Sequence, residues 1–203
     1  INVIISSVVP KANNHIDIAI RDISNKKPLK VSHKINCGIV FQVKKPEQIG
    51  ADRIANAVAG INYLKKEFAV IDFGTATTIT VIGNQRDFIG GLILPGIELM
   101  QRSLHSGTAK LPLISINKVP ESTLGKDTQS SISSGIIYGT ASAVEGIIKK
   151  LEKELSFRLR LIITGGFSNI ISPLIKKRHL LIPFLTYEGL RWIYLRNLGN
   201  QNE

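Results

Sequence analysis

The sequence predicts an α/β protein made of two layered halves with a cleft between them. Three observations carry this. Apolar, β-branched runs such as Val3 to Val9 and Phe68 to Phe73 read as buried strands. Strand-to-helix units stand at both ends of the chain, and hairpin-like strand pairs occupy its middle. At 203 residues and 43% hydrophobic content, the chain can build a substantial core in one large domain or two small ones.

The elements follow in order. Pro10 ends the first strand, and "KANNHIDIAIRDIS" reads as a helix, although Ile16, Ile18, Ile20 and Ile23 fit neither period well. "PLKVSHKI" and "GIVFQV" read as short strands. From Pro46 the period becomes helical, with Ile49, Ile54, Ala57, Val58, Ile61 and Leu64 at helical spacing after a start that carries Pro and Glu. "FAVIDF", "TTITVIG" and "FIGGLILPG" are strands, the last two joined by a turn at Gly83-Asn84 with Gln85. Pro95 to Arg102 continues as a helix, and Asn117 to Gln129 is an exposed loop. "SSISSGIIYGTASAVEGIIKKLEKEL" is a long helix, apolar at Ile132, Ile136, Ala143, Ile147 and Leu151. "LRLIITGG" is a buried strand ending on Gly165-Gly166. A helix, a short strand "HLLIPF" and a final helix "EGLRWIYLRNL" complete the chain.

Composition narrows the chemistry. The net charge is +11, but the lysine pairs are dispersed and not interleaved with aromatics. This pattern reads as a solvated surface in preference to a nucleic-acid site, and its field would favour an anionic small substrate. Four well-separated histidines and a single cysteine, Cys37, argue against a zinc site, and Cys37 reads as a small buried apolar residue. No Walker-type phosphate loop or serine nucleophile elbow is present. No apolar run reaches the ~18 residues of a membrane span. The opening lacks a basic n-region, and its first residue, Ile1, suggests a start inside a longer gene product.

Three places could carry chemistry. In Asp72-Phe73-Gly74-Thr75-Ala76-Thr77 a carboxylate ends a buried strand, where an unpaired charge is costly. Gly74 would admit a phosphate to the backbone and the threonines could donate to its oxygens; a turn in which Asp and Thr cap local backbone fits equally. In Gly50-Ala51-Asp52-Arg53, Asp52 is favoured by the helix dipole, while Arg53 suits an anionic carboxylate and Asp52 could accept a proton from an alcohol. Thr164-Gly165-Gly166 is either a common tight junction or a backbone exposed to a ligand.

Taken together, "SSVVP", "PEQIGADR", "VIDFGTATT", "GGLILPG", "LHSGTAKLP", "GKDTQSSISSGIIYG", "ITGGFSN" and "LTYEGLRWIYLRN" resemble, in order, the type III pantothenate kinases of the acetate and sugar kinase, Hsp70 and actin superfamily. The resemblance implies two ribonuclease H-like halves, residues 1–66 completing part of the first and 67–203 forming the second. It implies transfer of the ATP γ-phosphoryl group to pantothenate, in a cytoplasmic homodimer, with Mg2+ and a monovalent cation (potassium or ammonium). Asp52 corresponds to the proton acceptor. Gly50, Ala51 and Arg53 fall on the pantothenate-binding stretch, and Thr128 corresponds to a further substrate contact. Asp72 corresponds to the carboxylate that holds the monovalent cation, Thr75 to an ATP contact beside Gly74, and Gly165 and Gly166 to the turn beside the adenosine.

Three departures from the family pattern stand out. The opening DxGNT segment of the family is absent, Val43 replaces a substrate-contacting tyrosine, and Thr80 replaces the aspartate that often ends DxGTAxTxD. Two further readings stay open, a non-catalytic transcriptional accessory protein of the same fold and a kinase of another small alcohol.

Overall fold

The structure is a computed structural model that describes residues 3–7, 10–24 and 27–198. The chain divides into two compact units, each discontinuous in sequence. The first combines the described residues up to Lys66 with Thr80–Gly90 and the chain from Phe184 onward; the second combines Glu67–Ile79 with Gly91–Pro183.

In the first unit, β1 (Ile4–Ile5) and β2 (Leu29–Lys30) pair in parallel, with α1 (Pro10–Ser24) as the crossover between them. Lys30 forms an ion pair with Asp17, tying β2 to α1. The strand read from Val3 to Val9 is shorter than its composition suggests: β1 has two half-buried residues. Val8 and Val9 lie outside the described residues. β3 (Val40–Phe41) runs parallel to the start of β6 (Asp87–Pro95), with Phe41 opposite Phe88. Thus "PLKVSHKI" and "GIVFQV" each supply only two strand residues.

α2 (Ala51–Tyr63) follows a 3-10 turn at Pro46–Gln48, where proline fits the first helical position. Its residues from Ile54 to Ile61 are all buried, and α6 (Leu185–Arg196) lies against it. A methyl group on Gly189 of α6 would collide with the carbonyl of Ala55, so glycine is what lets the two backbones approach. The Thr186 hydroxyl donates to the side-chain carbonyl of Asn56 at 2.7 Å, and Tyr63 donates to Glu188 at 2.6 Å. Val31, Cys37, Ala51, Ile54, Ala55, Val58 and Ile193 form the core of this unit. Burial pushes the Cys37 thiol up to about 11 despite the nearby charge of Arg196, so at neutral pH it is a protonated apolar side chain.

In the second unit, β4 (Phe68–Phe73), β7 (Arg160–Thr164) and β8 (His179–Leu181) are parallel, with Asp72 opposite Thr164 and Leu161 opposite His179. Their near-continuous apolar sequence reflects the burial of β4 and β7. α3 (Ile97–Ser106) and α4 (Thr128–Leu155) pack together in this unit. After β7 the chain makes a single turn of α5 (Ser168–Ile171) and a 3-10 turn at Ser172–Leu174, less helix than the sequence suggests.

β5 (Ala76–Ile82) and β6 (Asp87–Pro95) contribute residues to both units, and the strand order is β3-β6-β5-β4-β7-β8. Only Gly74 and Thr75 separate β4 from β5, and Gly83 donates its N–H to the Asp87 carbonyl at 2.9 Å between β5 and β6. Links this short cannot cross over, so both are antiparallel hairpins. Among the described residues no helix is long and apolar enough to cross a membrane.

Candidate active site

The residues singled out from the sequence fall on the two units, and each group has its own local cause. In the first unit, Gly50 occupies the cap position of α2 without a side-chain capping bond. Asp52 lies in the first turn, where helix N–H groups lack intrahelical partners, and its Oδ1 accepts the backbone N–H of Arg53 at 2.8 Å. The carboxylate is therefore held at the positive end of the helix while remaining partly exposed.

Arg53 emerges beside it. Its Nε–H donates to Thr80 Oγ1 at 3.0 Å, and its guanidinium carbon lies 5.3 Å from the centre of the Phe88 ring. Burial lowers the affinity of the guanidinium for its proton, and the charge of Asp52 works in the opposite direction. Ala51, which precedes this pair, is buried in the core and positions the turn from below.

In the second unit, the ends of β4 and β7 bring Asp72, Gly74, Thr75 and Gly165 together. Asp72 and Thr164 are register partners. Gly165 has φ +97°, a conformation that disfavours any side chain, and a methyl group there would overlap Asp72 Oδ1. Gly96, at the end of β6, likewise leaves room only for the carbonyls of Gly74 and Thr75. The Phe167 N–H donates to the Phe73 carbonyl at 3.1 Å, which locks the turn after β7 onto the end of β4. Thr75 and Gly166 are exposed. Near them in sequence, Thr77 Oγ1 and Ser168 Oγ are buried with no hydrogen-bond partner in the protein among the described residues.

The cradle beside Asp72 is one that a side chain would fill, and its donors are oxygens. Among the described residues there is no group of three or more His, Cys, Asp or Glu side chains able to hold a metal. The carboxylate of Asp72 is a hard oxygen donor, which fits a hard cation better than a soft transition metal.

Thr128 is the first residue of α4 and is exposed. The helix start is built by its neighbours: Asp127 accepts the Ser130 N–H at 2.9 Å, while Ser130 Oγ accepts the N–H groups of Lys126 and Asp127 at 3.1 Å. The backbone and hydroxyl hydrogen bonds of Ser130 hold the Asp127 carboxyl below the usual carboxylate range. A surface cavity of about 570 Å³, lined in part by Lys126, Ser130 and Ser133, opens beside this turn and falls in the size range of small-molecule sites. Sequence reasoning missed the capping role of Asp127 and the contact between Arg53 and Phe88. The first was visible as Asp-x-x-Ser before an apolar run; the second depends on strand pairing far along the chain.

The model of the type III pantothenate kinase family matches residues 1–150 of this chain. The chain belongs to that family. The matched span includes Asp52, Arg53, Asp72, Thr75 and Thr128, whereas Gly165 and Gly166 of this type III pantothenate kinase family member lie beyond it. Among solved structures, a conserved candidate Baf family transcriptional activator from Campylobacter jejuni is similar at 20% identity and TM-score 0.66, over 98% of this chain and 84% of that one. The ethanolamine utilization protein EutJ from Carboxydothermus hydrogenoformans is similar at 18% identity and TM-score 0.47, over 90% of this chain and 74% of that one. The fold is thus the mixed α/β fold of the Campylobacter jejuni protein.

Proposed function

We infer that the protein transfers the γ-phosphoryl group of ATP to the primary alcohol of pantothenate, giving 4′-phosphopantothenate for coenzyme A synthesis. The family match across residues 1–150 carries this reading, because it spans the helix start with Asp52 and Arg53 and the turn with Asp72 and Thr75. In this reading Asp52 accepts the proton of the attacking hydroxyl, and Arg53, with the backbone of Gly50 and Ala51, receives the pantothenate carboxylate. Thr128 makes a further substrate contact. Gly74, Thr75, Gly165 and Gly166 shape the surface that meets ATP. A monovalent cation at Asp72 supplies positive charge beside the phosphates, and Mg2+ accompanies the nucleotide. Phosphoryl transfer of this kind depends on positioning and charge stabilisation more than on covalent chemistry.

We also propose that the enzyme acts as a cytoplasmic homodimer. The test of the central reading is release of ADP by the full-length protein with Mg2+ and potassium or ammonium. Turnover that depends on pantothenate supports it. Turnover that appears only with another small alcohol moves the acceptor elsewhere, an outcome favoured by Val43. A second reading, a non-catalytic transcriptional accessory protein, draws on the net charge of +11. It requires DNA binding that weakens steeply with salt and no ATP turnover with any acceptor.

A further inference from the structure

Basic residues that the sequence disperses gather where α4 ends. A cavity of about 430 Å³ opens there, lined by Lys149, Glu152, Lys153, Ser156, Phe157 and Arg158. Lys149 and Lys153 stand four residues apart, so they share one face of the helix, and both are exposed. Ser156 ends α4 in the left-handed conformation, with φ 60°, and Phe157 follows it, half-buried, in the cavity wall.

The carboxylates that could neutralise the two lysines are turned elsewhere. Glu145, one helical turn before Lys149, accepts the N–H of Lys176 at 2.7 Å. Glu152 accepts the N–H of Leu159 and the Lys177 ammonium, each at 2.8 Å, and meets Arg158 at 3.4 Å on its other oxygen. Among the described residues neither Lys149 nor Lys153 has an ion-pair partner. A helix C-terminus favours a cation in its last turn, which accounts for Lys153 but not for Lys149 a turn earlier. Two ammonium groups beside an aromatic ring, in a cavity of small-molecule size, suit a phosphate chain joined to a flat ring.

We propose that this cavity binds a nucleoside polyphosphate, with the phosphates on Lys149 and Lys153 and the base against Phe157. It lies apart from the turn that holds Asp72. Arg158 stands two residues before β7 begins, whereas Asp72 is paired with Thr164, where β7 ends. The four steps of β7 from Arg160 to Thr164 cover roughly 13 Å. A ligand here leaves the Asp72 turn free, and the inference stands whether or not the protein is a kinase.

The test is equilibrium dialysis of labelled ATP against the full-length protein without an acceptor. The parent is expected to take up two ATP per chain at saturation, and Lys149→Gln/Lys153→Gln to keep one. Loss of two charged contacts should weaken the affected site on the order of tenfold or more, while pantothenate-dependent turnover stays at the parental level. Phe157→Leu should weaken ATP at that site about tenfold, the scale of a lost base stack, and leave inorganic triphosphate, which has no base, unaffected. Equal ATP uptake and affinity in the parent and the double lysine variant would overturn the site. ATP binding that depends on the lysines but is indifferent to Phe157→Leu would overturn the assignment to a nucleoside. A parent without turnover that still loses one bound ATP in the double variant supports the site and removes the kinase reading alone.

Discussion

Asp52 and Arg53 are adjacent in sequence, yet the helix start gives them separate tasks. The Asp52 carboxylate takes the N–H of its neighbour at 2.8 Å, while the Arg53 side chain extends to Thr80. Asparagine at position 52 keeps an oxygen able to accept that N–H, so the helix start should survive the exchange. What it cannot do is accept a proton. Asp52→Asn is therefore expected to lower kcat by a factor on the order of 10² or more, the usual contribution of a positioned base, with KM for pantothenate little changed. Near-normal turnover in this variant would remove Asp52 from the proposed role of base. At this scale the sequence was informative about residue type but not about partners. A carboxylate beside an arginine in a first helical turn is readable directly, whereas the hydroxyl and ring that hold the arginine come from strands some thirty positions on. The carboxylate of Asp72 was likewise visible, but the glycine that makes room for it, Gly165, enters only through the register that sets Asp72 against Thr164.

At the scale of elements, the second unit is fastened where α4 ends. Glu152 Oε1 accepts the Leu159 N–H at 2.8 Å, one residue before β7, and the Lys177 ammonium at 2.8 Å, two residues before β8. Arg158 approaches the other carboxylate oxygen at 3.4 Å from a mostly exposed position and adds less. One side chain thus joins the helix to the beginnings of two parallel strands. Burial alone would raise its pKa, but the hydrogen bonds from Lys177 and Leu159 and the charges of Lys177 and Arg158 outweigh it and hold the carboxyl below its ordinary value. A depressed carboxylate pKa contributes stability that is fully present above the unfolded-state value and is lost as pH falls through the folded-state value. Glu152→Gln should destabilise the protein by about 1 kcal/mol at neutral pH, with the gap to the parent closing in acid. Urea midpoints measured at pH 7 and pH 3 test this; a gap of the same size at both would mean that the charge of Glu152 contributes nothing. Elements with strong local signals were legible in the sequence, notably α2, α4 and the two hairpins around β5. α4 announces itself through apolar spacing, although its Asp127 cap was missed, and the hairpins through links too short to be anything else. β2 and β3 were over-read because β-branched composition says nothing about how many residues find a partner. α5 was over-read because the periodicity of a short segment cannot distinguish one turn from three.

For the molecule as a whole, the least legible feature is that the last helix belongs with the first half of the chain. α6 packs on α2 across more than a hundred residues, through the close approach of Gly189 to Ala55, the Thr186 to Asn56 hydrogen bond and burial of Ile193 in the core with Ile54 and Val58. No local pattern encodes such a contact, since the apolar face of α6 could serve any neighbour. The consequence is that the helix carrying Asp52 and Arg53 depends on residues beyond the 1–150 span matched by the family. Removing the chain from Phe184 onward would expose the buried face of α2, and each large apolar side chain so uncovered costs roughly 1.5–3 kcal/mol, comparable in sum to the whole stability of a domain. The shortened protein is therefore expected to lose amide protection along Ala51–Tyr63 in hydrogen exchange. β4 and β7, which pair with each other inside the second unit, should keep theirs. Pantothenate-dependent turnover should vanish with the protection of α2. Full protection of α2 in the shortened chain would show that α6 is dispensable to the helix that presents Asp52, and loss of protection in β4 as well would show that the two units unfold together.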